Sequence, residues 1–404
     1  MKFSKLSRLI LVSTFGLFLA LYLTACQIVT IDFVFLAASS GSGTGSDGEI
    51  YTFAADAESG ALRTGPPAVS SGGTSPVAMA VTADYYNLYV ANQGNNTVVH
   101  FSIATNGVLT KKDSVTTAAP PVALYANPAG TYLYVLTGTT PAGTLTEYAL
   151  SSGAIGSATA QESLTLPGYG GDTIVPTAVT VLPNNNAVYV TAFDQSSYNP
   201  GGAVTSNANP GWVFGFAVGS GGALTAASGS PVQAGVKPSA LAPDPTNRFV
   251  YVTDFASNEL IGYTVQSSSI LDFMVNGPFK TGNEPSSVVV DPRGIFIYVS
   301  NSLDSTLSAY NISLPTGTPS AVINVSSAQA YSTDTQPVSL VVDPSLGRYV
   351  YSANHLGNSI SGFRLNPSTG VLNATQATPY PTGSGPTAIV AVPHGNHAVQ
   401  AVTP

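Results

Sequence analysis

The chain has 404 residues, of which 44% are hydrophobic and only 8% are charged, and it contains 20 tyrosines and 16 phenylalanines. This apolar and aromatic content is ample for a folded core and excludes a disordered stalk. The net charge is −8 at pH 7, and an acidic surface repels phosphate groups, so we expect no nucleic-acid partner. The single cysteine excludes an internal disulfide framework and a cysteine-based zinc site.

The N-terminal segment has the pattern of a signal peptide. Three basic residues lie at its start: Lys2, Lys5 and Arg8. They precede an apolar stretch from Leu9 to about Tyr22, which is too short and wrongly flanked for a membrane span. We therefore predict a signal peptide over residues 1–25. Its removal would leave nine basic and 20 acidic residues, a net charge of −11.

A lipidation motif follows the apolar stretch. The residues Leu23-Thr24-Ala25-Cys26 resemble the lipobox of bacterial lipoproteins, in which cleavage leaves a lipidated cysteine as the first residue. We therefore expect a lipid on Cys26 and a short tether over residues 26–30, which together anchor the protein in the cell envelope. Gln27 stands where an aspartate is associated with inner-membrane retention in enteric bacteria. The outer membrane is therefore preferred, with the protein facing the periplasm or the exterior.

A repeat of about 50 residues organises the rest of the chain. Its seven copies start at Pro76, Pro121, Pro176, Pro238, Pro285, Pro337 and Pro386. The intervals are 45, 55, 62, 47, 52 and 49 residues. Periods of this length with strand-like content are typical of propeller blades rather than of helical solenoids. A repeat architecture also explains how residues 31–404 form one domain.

Each repeat has the pattern of four strands. The first strand, such as Ser286–Val290, is small and β-branched and follows a proline, as suits an inner strand crowded at a central channel. A turn such as Asp291-Pro292 leads to a second strand rich in aromatic and β-branched residues, such as Phe249–Val252. A short polar loop, a third strand, a Gly-x-Leu turn and an outer strand complete the repeat. No stretch long enough for a stable helix keeps a helical apolar period free of Gly and Pro, so we predict almost no helix.

The seventh blade must be assembled from both ends of the chain, because only six repeats are complete. The C-terminal part supplies an inner strand from about Thr387, while Ile31–Ala37 is patterned as a second strand and Glu49–Ala54 as a third. His397–Val402 is also patterned as a second strand, so two segments compete for one place. We predict an all-β, seven-bladed β-propeller of four-stranded antiparallel blades, closed by strands from both termini so that no edge is exposed.

The second-strand ends resemble known propeller repeats. Segments such as Tyr89-Val90-Ala91-Asn92 resemble the YVTN repeats of bacterial surface propellers, and residues 31–402 resemble the propeller lactonases, which include 6-phosphogluconolactonases and fungal muconate-lactonising enzymes. The resemblance implies the seven-bladed fold and lactone hydrolysis. Catalytic members carry Pro-Arg-His at the start of an inner strand and Asn-Glu at the end of the next. Here these positions are Pro238-Ser239-Ala240 and Thr253-Asp254, and no repeat has Arg-His after its proline.

The topology of a propeller blade predicts where a site can form. The inner strand runs away from the face on which the blades are joined, and the second strand returns to that face. Residues just before each repeat proline and just after each second strand should therefore lie together beside the channel mouth. Most charged and amide side chains in these places belong to blades 4 to 6, namely Lys237, Asp254, Glu284, Asn301, Gln336, Asn354 and His355.

Three interpretations of these residues remain open. In an enzyme, Glu284 or His355 would act as general base toward a water, and Lys237 would stabilise a developing oxyanion. The remaining side chains, Asp254, Asn301, Gln336 and Asn354, would then bind the ligand. Alternatively, all of them cap strand ends and line a hydrated channel. A metal ion on Asp254, Glu284 and His355 is a further alternative, but the sequence predicts no metal and no other cofactor.

An insertion enlarges blade 3. The segment from Phe193 to about Pro210 replaces a short turn, accounts for the 62-residue interval and should project from the candidate face. It is either a tolerated surface insertion or a lid. Asp194 at its start and Tyr198 within it complete the predicted ligand-binding residues.

Two classes of function follow from the sequence. We favour an anchored, non-enzymatic lipoprotein whose polar face binds a protein, peptide or glycan, because the Arg-His signature is absent. The alternative is a lactone hydrolase that uses acidic or imidazole groups in place of the family set. One fold serves both functions. We expect a monomer whose partners are the membrane, through the lipid, and one such ligand.

Overall fold

A computed structural model describes residues 29–39, 47–138, 142–166, 173–197, 210–322 and 330–394. The predictions made above for Cys26, Tyr198 and His397–Val402 concern residues outside these ranges. The first strands are β1 (Thr30–Ala38), β2 (Glu49–Asp56), β3 (Leu62–Thr64), β4 (Val69–Ser70), β5 (Pro76–Val81), β6 (Asn87–Asn92), β7 (Thr97–Ile103), β8 (Leu109–Thr116), β9 (Pro121–Ala126), β10 (Tyr132–Thr137), β11 (Thr144–Ser151), β12 (Ala154–Ser163), β13 (Ile174–Val181), β14 (Ala187–Asp194), β15 (Gly211–Val218), β16 (Leu224–Ala226) and β17 (Val232–Gln233). The remaining strands are β18 (Pro238–Pro243), β19 (Phe249–Asp254), β20 (Glu259–Val265), β21 (Leu271–Phe273), β22 (Phe279–Lys280), β23 (Pro285–Val290), β24 (Phe296–Asn301), β25 (Thr306–Ser313), β26 (Thr318–Ala321), β27 (Ala330–Ser332), β28 (Pro337–Val342), β29 (Tyr349–Asn354), β30 (Ser359–Leu365), β31 (Leu372–Ala374), β32 (Tyr380–Pro381) and β33 (Pro386–Pro393).

The strands form seven antiparallel sheets, one for each predicted blade. Blades 1 to 6 begin at β5, β9, β13, β18, β23 and β28, and in five blades the outer strand is split into two short pieces that both pair with the third strand. The inner strand of each blade contacts that of the next, and β33 contacts β5, so the ring is closed. The prediction of an all-β, seven-bladed propeller is confirmed. The only helices among the described residues are three single-turn 3-10 helices, over Gln93–Asn95, Ser220–Gly222 and Ser267–Ser269.

The two chain ends close blade 7 as predicted. Strand β33 is the inner strand, β1 the second and β2 the third, with β3 and β4 as the outer strand. Strand β1 lies between β33 and β2, with Phe35 opposite Val390 on one side and Thr52 on the other. The place for which two segments competed is therefore taken by Thr30–Ala38.

The hydrophobic core is divided among the joints between blades. Seven clusters of buried side chains lie between neighbouring blades; one of them joins Leu36 and Phe53 of blade 7 to Tyr351 and Ile360 of blade 6. Every residue of the second strands β6, β19, β24 and β29 is buried, because both faces of a blade are covered by its neighbours. This explains why the second strands are continuous apolar runs rather than alternating patterns.

A tyrosine in the second strand ties most blades to the next one. Tyr251 donates its hydroxyl to the carbonyl of Gly317 in blade 5 at 2.7 Å. Equivalent bonds join Tyr89 to Gly153, Tyr189 to Ser269, Tyr298 to Gly370 and Tyr351 to Gly60. Burial raises the pKa of the Tyr251 hydroxyl, so the group stays neutral and donates. The repeated tyrosine is therefore a link between blades.

Within the described parts of the chain, no helix has the length and apolar character that a bilayer span requires.

Candidate functional site

A ring of backbone hydrogen bonds marks the face on which the blades are joined. In each blade, the amide of the residue after the second strand donates to the carbonyl of the residue before the inner strand, at 2.8 to 3.1 Å. We call these fourteen residues the rim. Its seven pairs are Gln93 and Ser75, Gly138 and Pro120, Gln195 and Thr173, Phe255 and Lys237, Ser302 and Glu284, His355 and Gln336, and Ser39 and Gly385. The rim places the predicted residues Lys237, Glu284, Gln336 and His355 on one face.

Serine side chains near the start of the inner strands also join neighbouring blades. The hydroxyl of Ser239 in blade 4 donates to the carbonyl of Pro285 in blade 5 at 2.6 Å, and that of Ser286 in blade 5 donates to Pro337 in blade 6 at 2.7 Å. Blade 6 has Val338 at this serine position, which carries no hydroxyl.

His355 makes the corresponding link from blade 6. Its Nδ1 lies 2.8 Å from the carbonyl of Pro386, the first residue of the inner strand of blade 7. A carbonyl only accepts, so Nδ1 carries the proton, and in the neutral ring Nε2 keeps a lone pair. The side chain is half-buried and makes no other hydrogen bond with the described residues. The imidazole is therefore held in the tautomer that a general base at Nε2 requires.

Glu284 and Gln336 hold unusual backbone conformations at the rim. Their φ angles are 54° and 60°, in the left-handed region that non-glycine residues seldom adopt. Side chains of the preceding blade support both: Asn258 Oδ1 accepts the amide of Glu284 at 2.8 Å, and Ser305 Oγ accepts that of Gln336 at 3.4 Å. The Glu284 carboxylate has a long contact of 3.5 Å with the hydroxyl of Ser302. Ser75 and Gly385 hold the same conformation at this position in blades 1 and 7, so the conformation belongs to the repeat.

Lys237 lies between two aromatic rings. Its ammonium group is 4.7 Å from the centre of the Phe255 ring and 5.6 Å from that of Phe193 in blade 3. Rings at these distances attract a cation through their negative faces. The arrangement positions one positive charge at the rim.

Asp254, Asn301 and Asn354, for which the sequence predicts a ligand-binding role, make their hydrogen bonds within their own blades. All three side chains are fully buried. Asp254 accepts the amides of Val236 at 2.7 Å and Lys237 at 2.9 Å. Each of these residues ends a second strand inside its blade. Its side chain hydrogen-bonds either the segment that leads into the inner strand of the same blade or the third strand of that blade. A ligand on the rim would meet the loops above them, because the strand ends are covered.

The other two strand-end residues behave similarly. Asn301 accepts the Gly282 amide at 3.1 Å and donates to Ser308 Oγ at 3.0 Å. Asn354 donates to Ser359 Oγ and Ser361 Oγ, both at 3.0 Å.

Blade 3 departs from the repeat at the start of its insertion. Strand β14 runs two residues further than the equivalent strands. In blade 4 the repeat proline lies opposite the last residue of the second strand, whereas in blade 3 Pro176 lies opposite Ala192, two residues before Asp194. The buried Asp194 carboxylate accepts the amide of Ser196 at 2.9 Å and the hydroxyl of Ser197 at 2.6 Å. Asp194 therefore shapes the start of the insertion. A direct contact between Asp194 and a ligand stays a prediction.

The structure does not assemble the metal alternative. Among the described residues, no group of three or more His, Cys, Asp and Glu side chains could hold a metal ion. Asp254 is engaged by backbone amides as described above. Asp254, Glu284 and His355 therefore do not form a ligand set.

Reasoning from sequence missed two rim residues, Phe255 and Ser302, and one residue beside the rim, Phe193. Phe193 and Phe255 hold Lys237, and Ser302 contacts Glu284. Phe255 and Ser302 each follow the last residue of a second strand, the position that His355 occupies in blade 6. Aligning the repeats one residue further would have found both. Phe193 lies in the extended part of β14, which departs from the repeat and gave no such signal.

Comparisons with known proteins find similarity to seven-bladed β-propellers. The profile of the family described as "Lactonase, 7-bladed beta-propeller" matches residues 47–167 and 225–401. No curated protein matches the sequence significantly. Among solved structures, the periplasmic gluconolactonase of Pseudomonas aeruginosa is 17% identical with a TM-score of 0.73, covering 91% of this chain and 100% of its own. A candidate 6-phosphogluconolactonase of Bacteroides uniformis is 17% identical with a TM-score of 0.70, covering 90% and 100%. At these identities the structural likeness concerns the fold.

Proposed function

This chain belongs to the seven-bladed β-propeller lactonase family, and from that premise we propose that it hydrolyses the ring ester of a lactone at the rim. The reaction adds water to the lactone and yields a hydroxy acid. The observation that carries the proposal is the hydrogen bond from His355 Nδ1 to the Pro386 carbonyl, because it leaves Nε2 as a base on the face where a substrate would lie.

The proposed reaction uses three rim residues: His355, Lys237 and Glu284. Nε2 of His355 takes a proton from a water, and the hydroxide attacks the lactone carbonyl carbon. The carbonyl oxygen becomes an oxyanion, which the ammonium of Lys237 stabilises. When the ring C–O bond breaks, the imidazolium returns the proton to the departing alkoxide. Glu284, on the blade between Lys237 and His355, would accept a hydrogen bond from the water or a substrate hydroxyl.

The substrate class that suits this rim is an unphosphorylated, polar lactone. The chain carries 12 basic and 20 acidic residues, and a phosphorylated sugar acid would need several cations to hold it. The P. aeruginosa structure is that of a gluconolactonase, and a sugar lactone offers hydroxyl groups to Gln336 and Glu284. We therefore propose an aldonolactone-like substrate.

Location in the cell envelope is part of the same proposal. The signal-peptide and lipobox patterns support export, and one neighbour with the same fold is described as periplasmic. Strand β1 begins at Thr30 on the face opposite the rim, since Asp32 lies beside Pro393 whereas Ala38 lies beside Pro386. A lipid on Cys26 would therefore hold the far face toward the membrane and leave the rim open to solvent.

A binding module remains the second candidate function, and one observation favours it. Leu303 and Leu356 lie in equivalent rim loops of blades 5 and 6 and are 65% and 64% exposed. Exposed leucines in the loops of adjacent blades are suited to contact a protein or peptide partner. This function requires no turnover.

The test is hydrolysis of a lactone panel by the chain truncated to begin at Gln27, measured as acid release at constant pH. We expect His355→Asn, whose amide can still donate to Pro386, to lower kcat by about 10²- to 10⁴-fold. Lys237→Met should also lower kcat. Gln93→Ala, at the rim position of His355 in blade 1, is the matched control and should leave turnover unchanged. Absence of turnover on every lactone, with a folded protein, would favour the binding module.

A further inference from the structure

A cavity lies outside the central channel. It has a volume of about 260 Å³ and is formed where the outer part of blade 3 meets blade 4. Its apolar lining includes Ile261, Phe273, Met274 and Pro278, and its polar lining includes Gln233 and Glu259. No inner-strand residue lines it, so a ligand there would not enter the channel.

Glu259 is the one charged residue of this lining. Its side chain is partly buried, and among the described residues its carboxylate makes no hydrogen bond or ion pair. Burial raises the pKa of Glu259, with a smaller contribution from the negative charge of Asp254, and the positive charge of Lys280 opposes both. Lys280 lies opposite Glu259 in the neighbouring strand. The Glu259 carboxylate is therefore available to pair with a cation that enters the cavity.

Blade 7 shows how the same place is filled elsewhere in the ring. The first residue of the third strand is an acid in only two blades, Glu259 in β20 and Glu49 in β2. In blade 7, Tyr51, two residues after the acid, donates its hydroxyl to Glu49. Blade 4 has Ile261 at that position. Because the Ile261 side chain is smaller than tyrosine, blade 4 has no ring to fill the cavity and no hydroxyl to donate to the carboxylate of Glu259.

The two positions face equivalent parts of the chain. A Cβ on Gly383, in the connection before blade 7, would lie 2.1 Å from the Tyr51 hydroxyl. A Cβ on Gly235, in the connection before blade 4, would lie 3.1 Å from Cδ1 of Ile261. The cavity of blade 4 is therefore the place that a tyrosine ring and hydroxyl fill in blade 7.

We propose that this cavity binds a small organic ammonium ion with an apolar body, such as an arylalkyl amine. The apolar part would take the place of the missing tyrosine ring, against Ile261, Phe273 and the Met274 thioether. The ammonium group would pair with Glu259, and a charge-assisted bond in a partly dry site is stronger than one in water. An anionic ligand would be repelled by Glu259 and Asp254.

The test compares phenethylammonium with 2-phenylethanol, which has the same shape but no charge, by isothermal titration against the chain that begins at Gln27. We expect phenethylammonium to bind at one site with a Kd of about 1 mM or tighter. The neutral analogue should bind at least about tenfold more weakly. Lack of saturable binding, or equal affinities for the two compounds, would overturn the proposal.

Two variants assign the binding to this cavity. Glu259→Gln should remove the preference for the charged compound, and Ile261→Tyr should fill the cavity as in blade 7 and abolish binding without loss of thermal stability. Glu58→Gln, on the exposed surface, is the matched control. Persistence of tight binding in the Ile261→Tyr variant would contradict the assignment. Lactone hydrolysis should be unaffected by Glu259→Gln, which separates this proposal from the proposed activity.

Discussion

Ser345 in blade 6 donates its hydroxyl to the carboxyl group of Asp32 in blade 7, across the joint that the two chain ends close. Asp32 is fully buried, and its other oxygen has no donor among the described residues. Burial, and then the nearby charge of Asp343, raise the pKa of Asp32 well above its ordinary value. The amides of Leu346, Arg348 and Tyr349 all donate to the Asp343 carboxylate. Asp32 therefore keeps its proton to a higher pH than an exposed aspartate does.

This pair predicts a pH-dependent stability of the closing joint. The folded state retains a proton that the unfolded state releases near pH 4, so the contribution of Asp32 to stability is full below that pH and is lost as pH rises toward the raised folded pKa. Asp32→Asn keeps the size of the side chain and cannot ionise. We expect the variant to match the wild type at pH 4 and to exceed it by about 1.4 kcal/mol for each pH unit within that window. Denaturant unfolding from pH 4 to 8 measures this; parallel curves would contradict it.

The tyrosine links between blades predict a second effect on stability. Tyr251→Phe keeps the buried ring and removes only the hydroxyl that donates to Gly317 at 2.7 Å. The Gly317 carbonyl then loses a buried partner, so we expect a loss of about 1–2 kcal/mol in the free energy of unfolding. Tyr86, which is exposed, provides the control, because Tyr86→Phe should change little. Equal effects of the two substitutions in urea unfolding would show that the link contributes nothing specific.

A buried histidine ties blade 1 to blade 2. His100 Nδ1 lies 2.8 Å from Asp113 and Nε2 lies 2.9 Å from the Asn87 side-chain oxygen, while Asp113 also accepts the amide of Ile155 in blade 2 at 3.2 Å. His100→Phe would keep the stacking on Tyr89 but remove both ring nitrogens. We expect a loss of about 1–3 kcal/mol, measured by thermal unfolding. An unchanged Tm would show that the ring alone matters, as in a purely packed core histidine.

The lipobox pattern predicts the cellular location. Cys26→Ala removes the only thiol that could carry a lipid, so we expect the variant to leave the membrane fraction and become soluble after cell lysis. The wild-type chain, expressed in the same host, is the comparison, and fractionation with immunoblotting is the measurement. Equal membrane association of the two proteins would mean that Cys26 is not the anchor.

Much of the fold could be predicted because its signals are local. The proline that starts most inner strands, the aspartate of the turns in blades 4 to 6 and the tyrosine of most second strands recur with the repeat, and each acts on backbone near it in sequence. The same regularity placed Lys237, Glu284, Gln336 and His355 on one face. These features depend on strand direction and repeat phase, which a single sequence contains.

The closing strand and the chemistry of the site required the tertiary structure. Two segments had equal second-strand patterns, and only the pairing of β1 with β33, which lie at opposite ends of the chain, assigned the place to Thr30–Ala38. Likewise, Asp254 and His355 were both polar residues at second-strand ends. The Asp254 carboxylate is buried and accepts backbone amides, whereas His355 donates from Nδ1 to the carbonyl of Pro386 in the next blade. The sequence by itself determined the number of blades and the direction of their strands through local patterns. The burial and hydrogen-bond partners of each polar side chain were decided by neighbouring blades, because those contacts join residues that no local pattern relates.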